Sequence, residues 1–296
     1  MTARRAAAAE FLGDQLGPRG RSRVVVGSVV AGLALAALLV AAGARFASHG
    51  QLSGRLWRPF ARWSVLRFIL VGMWHTLEAA AAAIALSMAA GIVLAAGRMA
   101  GIRPVRWLAR AWIEFFRAMP LILLILFCYI GLPREGVHLS PFRALVLGLT
   151  VYNGAVLGEI FRAGVLSLDR GQREAASALG LGYGQAMASV ILPQAVRRMA
   201  PAIVSQLITV LKDTALGYVI NYDDGLRRAD QTGTFFGNFL QAAIFIAACY
   251  IVVNLVLSRV AHRLEVRQQR RLGASTIEVA GVEDLAVVGA SASAVS

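Results

Sequence analysis

The sequence predicts an all-α integral membrane protein with six transmembrane helices, and three observations carry that prediction. The 296 residues are 58% hydrophobic and 16% charged, with a mean hydropathy of +0.65, which excludes an ordinary soluble domain. The apolar residues gather into long runs, each able to cross a hydrocarbon core of about 30 Å at helical rise. The polar stretches between them are rich in arginine, and Lys212 is the only lysine behind a net charge of +14. Arginines that flank apolar runs fit membrane orientation and anionic headgroups better than a nucleic-acid stripe.

Residues 1–23 form a basic tail with Arg4, Arg5, Arg19, Arg21 and Arg23, and residues 24–44 form the first apolar run. Ala42 and Ala44 resemble a signal-peptidase site, but the run exceeds a usual signal-peptide core, so it reads as a retained helix. Residues 45–70 are an exterior connector whose Trp57, Phe60, Trp63 and arginines suit the membrane interface. A five-helix core then occupies 71–260, its spans at about 71–97, 112–131, 144–168, 200–220 and 238–258. Arg117 and Pro120 fall inside the second of these, which is read as one span. The segment 261–296 is a tail that begins basic, and its small and acidic residues after Gly273 predict a disordered end.

Arginine placement sets an orientation. If the loop at 169–199 is cytoplasmic, so are both termini and the 98–110 loop; these four segments hold eighteen arginines against nine in the exterior connectors, which satisfies the positive-inside rule. Cys128 and Cys249 lie in apolar runs with neither disulfide nor metal spacing, no histidine has ligand spacing, and no catalytic constellation is present.

An ionisable residue inside a span costs about 2.5–3.5 kcal/mol on insertion scales and is a functional candidate. Glu159 and Arg162, three apart on one helix face, are expected to pair. Counting helical rise from the span ends puts Glu159, Arg162 and Lys212 in one layer near mid-depth, with Asp213 directed elsewhere. Together with Asn153 and Thr214 they are the candidate substrate-pathway residues, although mutual neutralisation without substrate contact explains the charges equally well. Arg117 and Glu78 are placed near span ends, where they can snorkel.

The stretch from Asp169 to Met199 is the long polar interval of the core. Glu174 to Leu179 favour a helix, Gly180 and Gly182 allow it to end in a bend, and Pro193 disfavours helical backbone at Leu192, marking a second boundary. Glu174-Ala175-Ala176, then Gly180 after three residues, and Leu192-Pro193 further on resemble the EAA loop of ABC importer permeases, with Val190 where that pattern has isoleucine. Four more stretches resemble the polar amino-acid uptake branch: Gly72-Met73-Trp74-His75-Thr76-Leu77, Glu114 to Leu121 (E-x-F-R-x-x-P-L), Glu159-Ile160-Phe161-Arg162-Ala163-Gly164 and Leu211-Lys212-Asp213-Thr214-Ala215-Leu216. The likeness runs from about Trp63 to Glu265 and is nearest to glutamate permease subunits.

That resemblance implies a type I importer permease fold in a bacterial cytoplasmic membrane, multi-pass, with an ATP-driven uptake function for glutamate or for glutamine, histidine or arginine. It implies that Arg173, Glu174, Ala175, Ala176, Gly180, Leu192 and Pro193 couple the chain to a cytoplasmic ATPase. The implied partners are two ATPase subunits, a sister permease or second copy, an extracytoplasmic amino-acid-binding protein, the polar amino acid and membrane lipid, with no nucleic acid. The chain itself holds no cofactor; ATP and magnesium belong to the ATPase, since Lys212 follows Leu211 and no phosphate-binding loop can be built around it. An ion-coupled secondary transporter is the alternative, and would need no ATPase partner.

Overall fold

The computed structural model describes residues 18–259 and Arg263, and all of its regular structure is helical. The basic tail at 1–17, and the part of the 261–296 tail other than Arg263 with its expected disordered end, lie outside the described residues. Two compact units divide between Arg58 and Pro59. The first contains α1, Pro18–Ser48, which outlasts the predicted 24–44 run at both ends, with Pro18 at its first position, where the missing N–H costs nothing.

The second unit begins with α2, Trp63–Met99, a helix of 37 residues that starts eight residues before the expected span. Then follow α3 (Arg103–Ala118) and α4 (Leu121–Arg134), which meet at 102°. The span expected at about 112–131 is thus two helices bent at Met119–Pro120, and the first of them begins nine residues earlier, at Arg103. Pro120 disfavours helical backbone at the residue before it, and Met119 is extended at φ −81 and ψ 134. The next helices are α5 (Pro141–Leu166), α6 (Arg170–Ala178), α7 (Tyr183–Ile220), α8 (Gly225–Phe236) and α9 (Phe239–Arg259). Five described helices are long and apolar enough to cross a membrane, and the bent α3–α4 pair makes a sixth when taken as one broken span.

α7 also corrects an expectation. The sequence places a boundary at Pro193 and a new span from Ala200, whereas the helix runs through both. Residues Met187–Ile191 form a π turn, and the Leu192 N–H bonds the Met187 carbonyl five residues back. Widening that turn accommodates a proline that has no N–H to give, and Leu192 keeps helical angles of φ −60 and ψ −43.

α2 and α5 pack closely through small residues. A Cβ at Gly91 would stand 2.8 Å from that of Leu157, and one at Gly154 would stand 2.9 Å from that of Ala90. Small residues let membrane helices approach backbone to backbone. One core cluster joins Ile125, Leu145, Leu149, Val210 and Ile220; another joins Leu157, Phe161, Ile191 and Met199 near the loop end of the bundle.

Candidate functional site

α5 is the spine of the polar sites. Its partner α7 runs antiparallel, and two hydrogen bonds fix their register. The Gln206 amide donates to the Asn153 side-chain oxygen Oδ1 at 2.6 Å at mid-helix, and Arg198 donates to the Ser167 backbone carbonyl at 2.6 Å where α5 ends. Asn153 is fully buried, and its own amide donates to the Leu149 carbonyl at 3.0 Å.

This register separates charges that helical rise alone had put in one layer. Glu159 is six residues from Asn153 toward the loop end, and Lys212 is six residues from Gln206 in the opposite direction. At 1.5 Å per residue they stand about 18 Å apart along the bundle.

Glu159 and Arg162 do meet, the Arg162 Nε lying 3.1 and 3.0 Å from the two carboxylate oxygens. A second arginine joins them: Arg98, from the last turn of α2, places Nη2 3.6 Å from Glu159 Oε2. The sequence assigned Arg98 to a loop and gave no signal that it would reach this carboxylate.

The mid-helix region opens differently. A cavity of about 600 Å3 lies where the α3–α4 break faces α5 and α7, lined by Arg117, Tyr152, Val156, Gln206, Thr209 and Asp213, among others. Arg117 occupies the last turn before the Met119–Pro120 break, so the bend carries a cation into the cavity instead of to a span end. Neither Arg117 nor Asp213 belongs to any ion pair among the described residues. The cavity thus offers a guanidinium, which also lies in the field of Glu159, and a carboxylate, neither in a close ion pair among the described residues, with a phenol, a hydroxyl and an amide beside them.

Lys212 faces elsewhere, as adjacent helix positions require. It lines a mostly apolar groove of about 650 Å3 with Leu226, Ala247, Tyr250 and Asn254. Thr214 is buried and donates to the Leu211 carbonyl at 2.6 Å. Of the candidate pathway residues, Asp213 lines the cavity and Asn153 reaches it through Gln206; Glu159 and Arg162 lie toward the loop end, and Lys212 lines its own groove. Tyr152, Gln206 and Arg117 are additions. Polarity inside an apolar run, the signal that singled out Asn153, was available for Gln206 as well.

The loop end is built around α6. Asp169 caps it by accepting from the Gly171 N–H at 3.3 Å. Its other end is a Schellman closure: Leu181 N–H to Ala176 carbonyl at 3.1 Å and Gly180 N–H to Ser177 carbonyl at 3.0 Å, with Gly180 at φ +75. Arg173 and Ala176 face inward, whereas Glu174, Ala175, Gly180, Leu192 and Pro193 are exposed. Leu179 and Tyr183 are 81% and 73% exposed, an apolar surface that the sequence did not single out.

At the far end, His75 and Glu78 from α2 border a cavity of about 380 Å3 with Asn221, Tyr222 and Asp223. Arg228 holds the Asp223 carboxyl below the usual carboxylate range by a hydrogen bond of 2.6 Å. Asp224 is fully buried and caps α8 through the Arg227 N–H at 2.8 Å. Burial pushes its carboxyl up to about 6.

Residues 87–270 match the model of the family described as "binding-protein-dependent transport system inner membrane component". The chain is 41% identical over 228 residues to the glutamate transport system permease protein GluD of Corynebacterium glutamicum, spanning 75% of this chain and 82% of that one. It is 38% identical over 199 residues to the arginine transport system permease protein ArtQ of Bacillus subtilis, spanning 67% of this chain and 91% of that one. The crystal structure of an amino acid ABC transporter with histidines superposes with a TM-score of 0.66 at 33% identity, covering 68% of this chain and 94% of that one.

Proposed function

This chain belongs to the family of binding-protein-dependent transport system inner membrane components, and from that premise we propose that it carries glutamate across the bacterial inner membrane. It is the multi-pass permease subunit of an amino-acid ABC importer, without an ATPase site of its own. Such a permease works with ATPase subunits and a substrate-binding protein. Two ATPases, and a sister permease or a second copy of this chain, complete the proposed complex.

The observation that carries the substrate reading is the cavity at the α3–α4 break. Every α-amino acid presents a carboxylate and an ammonium. Arg117 suits the first, because a guanidinium can bind both oxygens, and Asp213 suits the second. Tyr152, Gln206 and Thr209 are left for the side chain. The likeness to a glutamate permease favours glutamate. One specific observation favours glutamine as the second reading: the lining cation and carboxylate balance, leaving no surplus positive charge for a second carboxylate. Glu159, Arg162 and Lys212 then lie beside the path, not at its binding site.

The exposed face of α6 and the loop after it, with Glu174, Ala175, Gly180, Leu192 and Pro193, is the proposed ATPase-facing surface, and Leu179 and Tyr183 give it apolar area to bury. On this reading the loop end and both termini are cytoplasmic, as the arginine distribution also favours. A cysteine in place of Gly184 is then shielded from an impermeant thiol reagent in intact cells, while one in place of Gly136 is labelled. The reverse pattern overturns the orientation. The substrate is tested by uptake of labelled glutamate into proteoliposomes holding the permease, its ATPase and its binding protein, with unlabelled glutamine and arginine as competitors. Undiminished glutamate uptake under excess glutamine supports glutamate, and complete competition favours the second reading.

A further inference from the structure

We propose that Arg173 and Arg198 are positioning residues: a clamp on the carbonyl end of α5 that makes the cavity-lining helix follow α6. The proposal rests on the importer reading above and concerns how movement reaches the cavity.

A helix ends with carbonyls that lack intrahelical partners and carry the negative end of its dipole. α5 ends at Leu166, and two guanidiniums from different elements hold that end. Arg173, on the inward face of α6, donates from Nη2 to the Val165 carbonyl at 3.2 Å. Arg198, two turns into the part of α7 that follows the π turn, donates to the Ser167 carbonyl at 2.6 Å. Gln194 closes the third side, its amide donating to Gln172 of α6 at 3.1 Å. α6, α5 and α7 therefore meet through side chains at a point where a three-residue connection alone would leave α6 free to swing.

Arg173 shares its face with the buried Ala176, and its Nε is buried too. It is directed at α5 and away from the exposed surface that carries Glu174 and Ala175. About 20 Å further along α5, at helical rise, stand Tyr152 and Asn153 at the cavity. A push on α6 that is carried by Arg173 and Arg198 displaces α5 along with it. Without them the push is absorbed by the Ser167–Asp169 connection.

The test measures ATP hydrolysis and amino-acid uptake in the same proteoliposomes. Variants are Arg173→Met, which keeps the stem and loses every donor, Arg198→Met, the double variant, and Arg173→Lys. The expected result is assembly with the ATPase and hydrolysis near wild type, with uptake per ATP falling about tenfold in the double variant, as for a lost charged hydrogen bond in a coupling pathway. Arg173→Lys, which retains a charged donor, recovers part of the ratio. An unchanged ratio in the double variant overturns the clamp. So does a parallel loss of hydrolysis, uptake and assembly in every variant including the single Arg173→Met, since that is what a purely structural role gives. A wild-type complex that hydrolyses ATP and moves no amino acid faults the importer reading instead.

Discussion

Two groups of charge lie along α5, and they differ in whether the chain supplies each charge with its partner. At the loop end Glu159 is met by Arg162 on its own helix and by Arg98 from α2, so the carboxylate is saturated from within the chain. At mid-helix Arg117 and Asp213 line one cavity without any ion pair among the described residues. Arg117 is exposed and Asp213 half-buried, so the cavity presents two opposite charges to whatever enters it. Residue type does not separate the two groups, since each contains arginine and a carboxylate. Whether the partner is already present separates them.

The comparison breaks first at the cavity, where the largest effect is expected. Arg117→Gln or Asp213→Asn removes one of the two charges offered to the substrate and should lower uptake by about a hundredfold, the upper range for a charged hydrogen bond. Assembly with the ATPase, read by co-purification, should be retained. Uptake within twofold of wild type in both variants would assign recognition to the binding protein and leave the cavity a passage.

The loop-end cluster should answer in stability. Glu159→Gln leaves Arg162 and Arg98 facing each other with no anion and should cost about 1–3 kcal/mol, seen as a lower Tm in detergent. Arg162→Gln should cost less, because Arg98 still faces the carboxylate. Uptake per assembled complex should stay near wild type in both. A selective loss of uptake at unchanged Tm would move this cluster into the substrate path and erase the contrast.

A smaller effect sharpens the comparison from a third site. Asp224 at the far end is buried with no cation on it, and its Oδ2 has no hydrogen-bond partner among the described residues. Its folded-state value, raised from 3.8 to about 6, means that the protonated acid suits the fold. This contribution to stability is complete below the unfolded value and is lost as pH rises through about 6. The Tm should therefore fall slightly from acid toward neutral pH. Asp224→Asn, which keeps a capping oxygen without a titrating group, should flatten that slope. An unaltered slope would place the titration elsewhere.

The loop helix was legible locally because its signals are local. Helix formers from Glu174, a capping Asp169 and a glycine at a position of φ +75 are set by backbone sterics within a few residues. Pro120 is an equally local signal. Its effect on Met119 is a nearest-neighbour effect, so the break in the third span could have been expected, although its 102° angle could not. Pro193 shows the opposite case. The same local rule predicted a boundary, and the π turn at Met187–Ile191, just before it, carried the helix through.

By itself the sequence determined the class of the protein, the segments that become long helices, the family likeness and the face on which Glu159 meets Arg162, because each depends on composition or on spacing within one helix. Only the tertiary structure decided which charges share a level and which share a cavity. Helical rise gives position along one axis, but the offset between two axes is set where backbones pack, at Gly91 against Leu157 and at Gln206 against Asn153. Those contacts put Lys212 about 18 Å from Glu159 along the bundle by helical rise. The bend at Pro120 and the packing around it brought Arg117, which spacing had placed at a span end, to the cavity that Asp213 also lines.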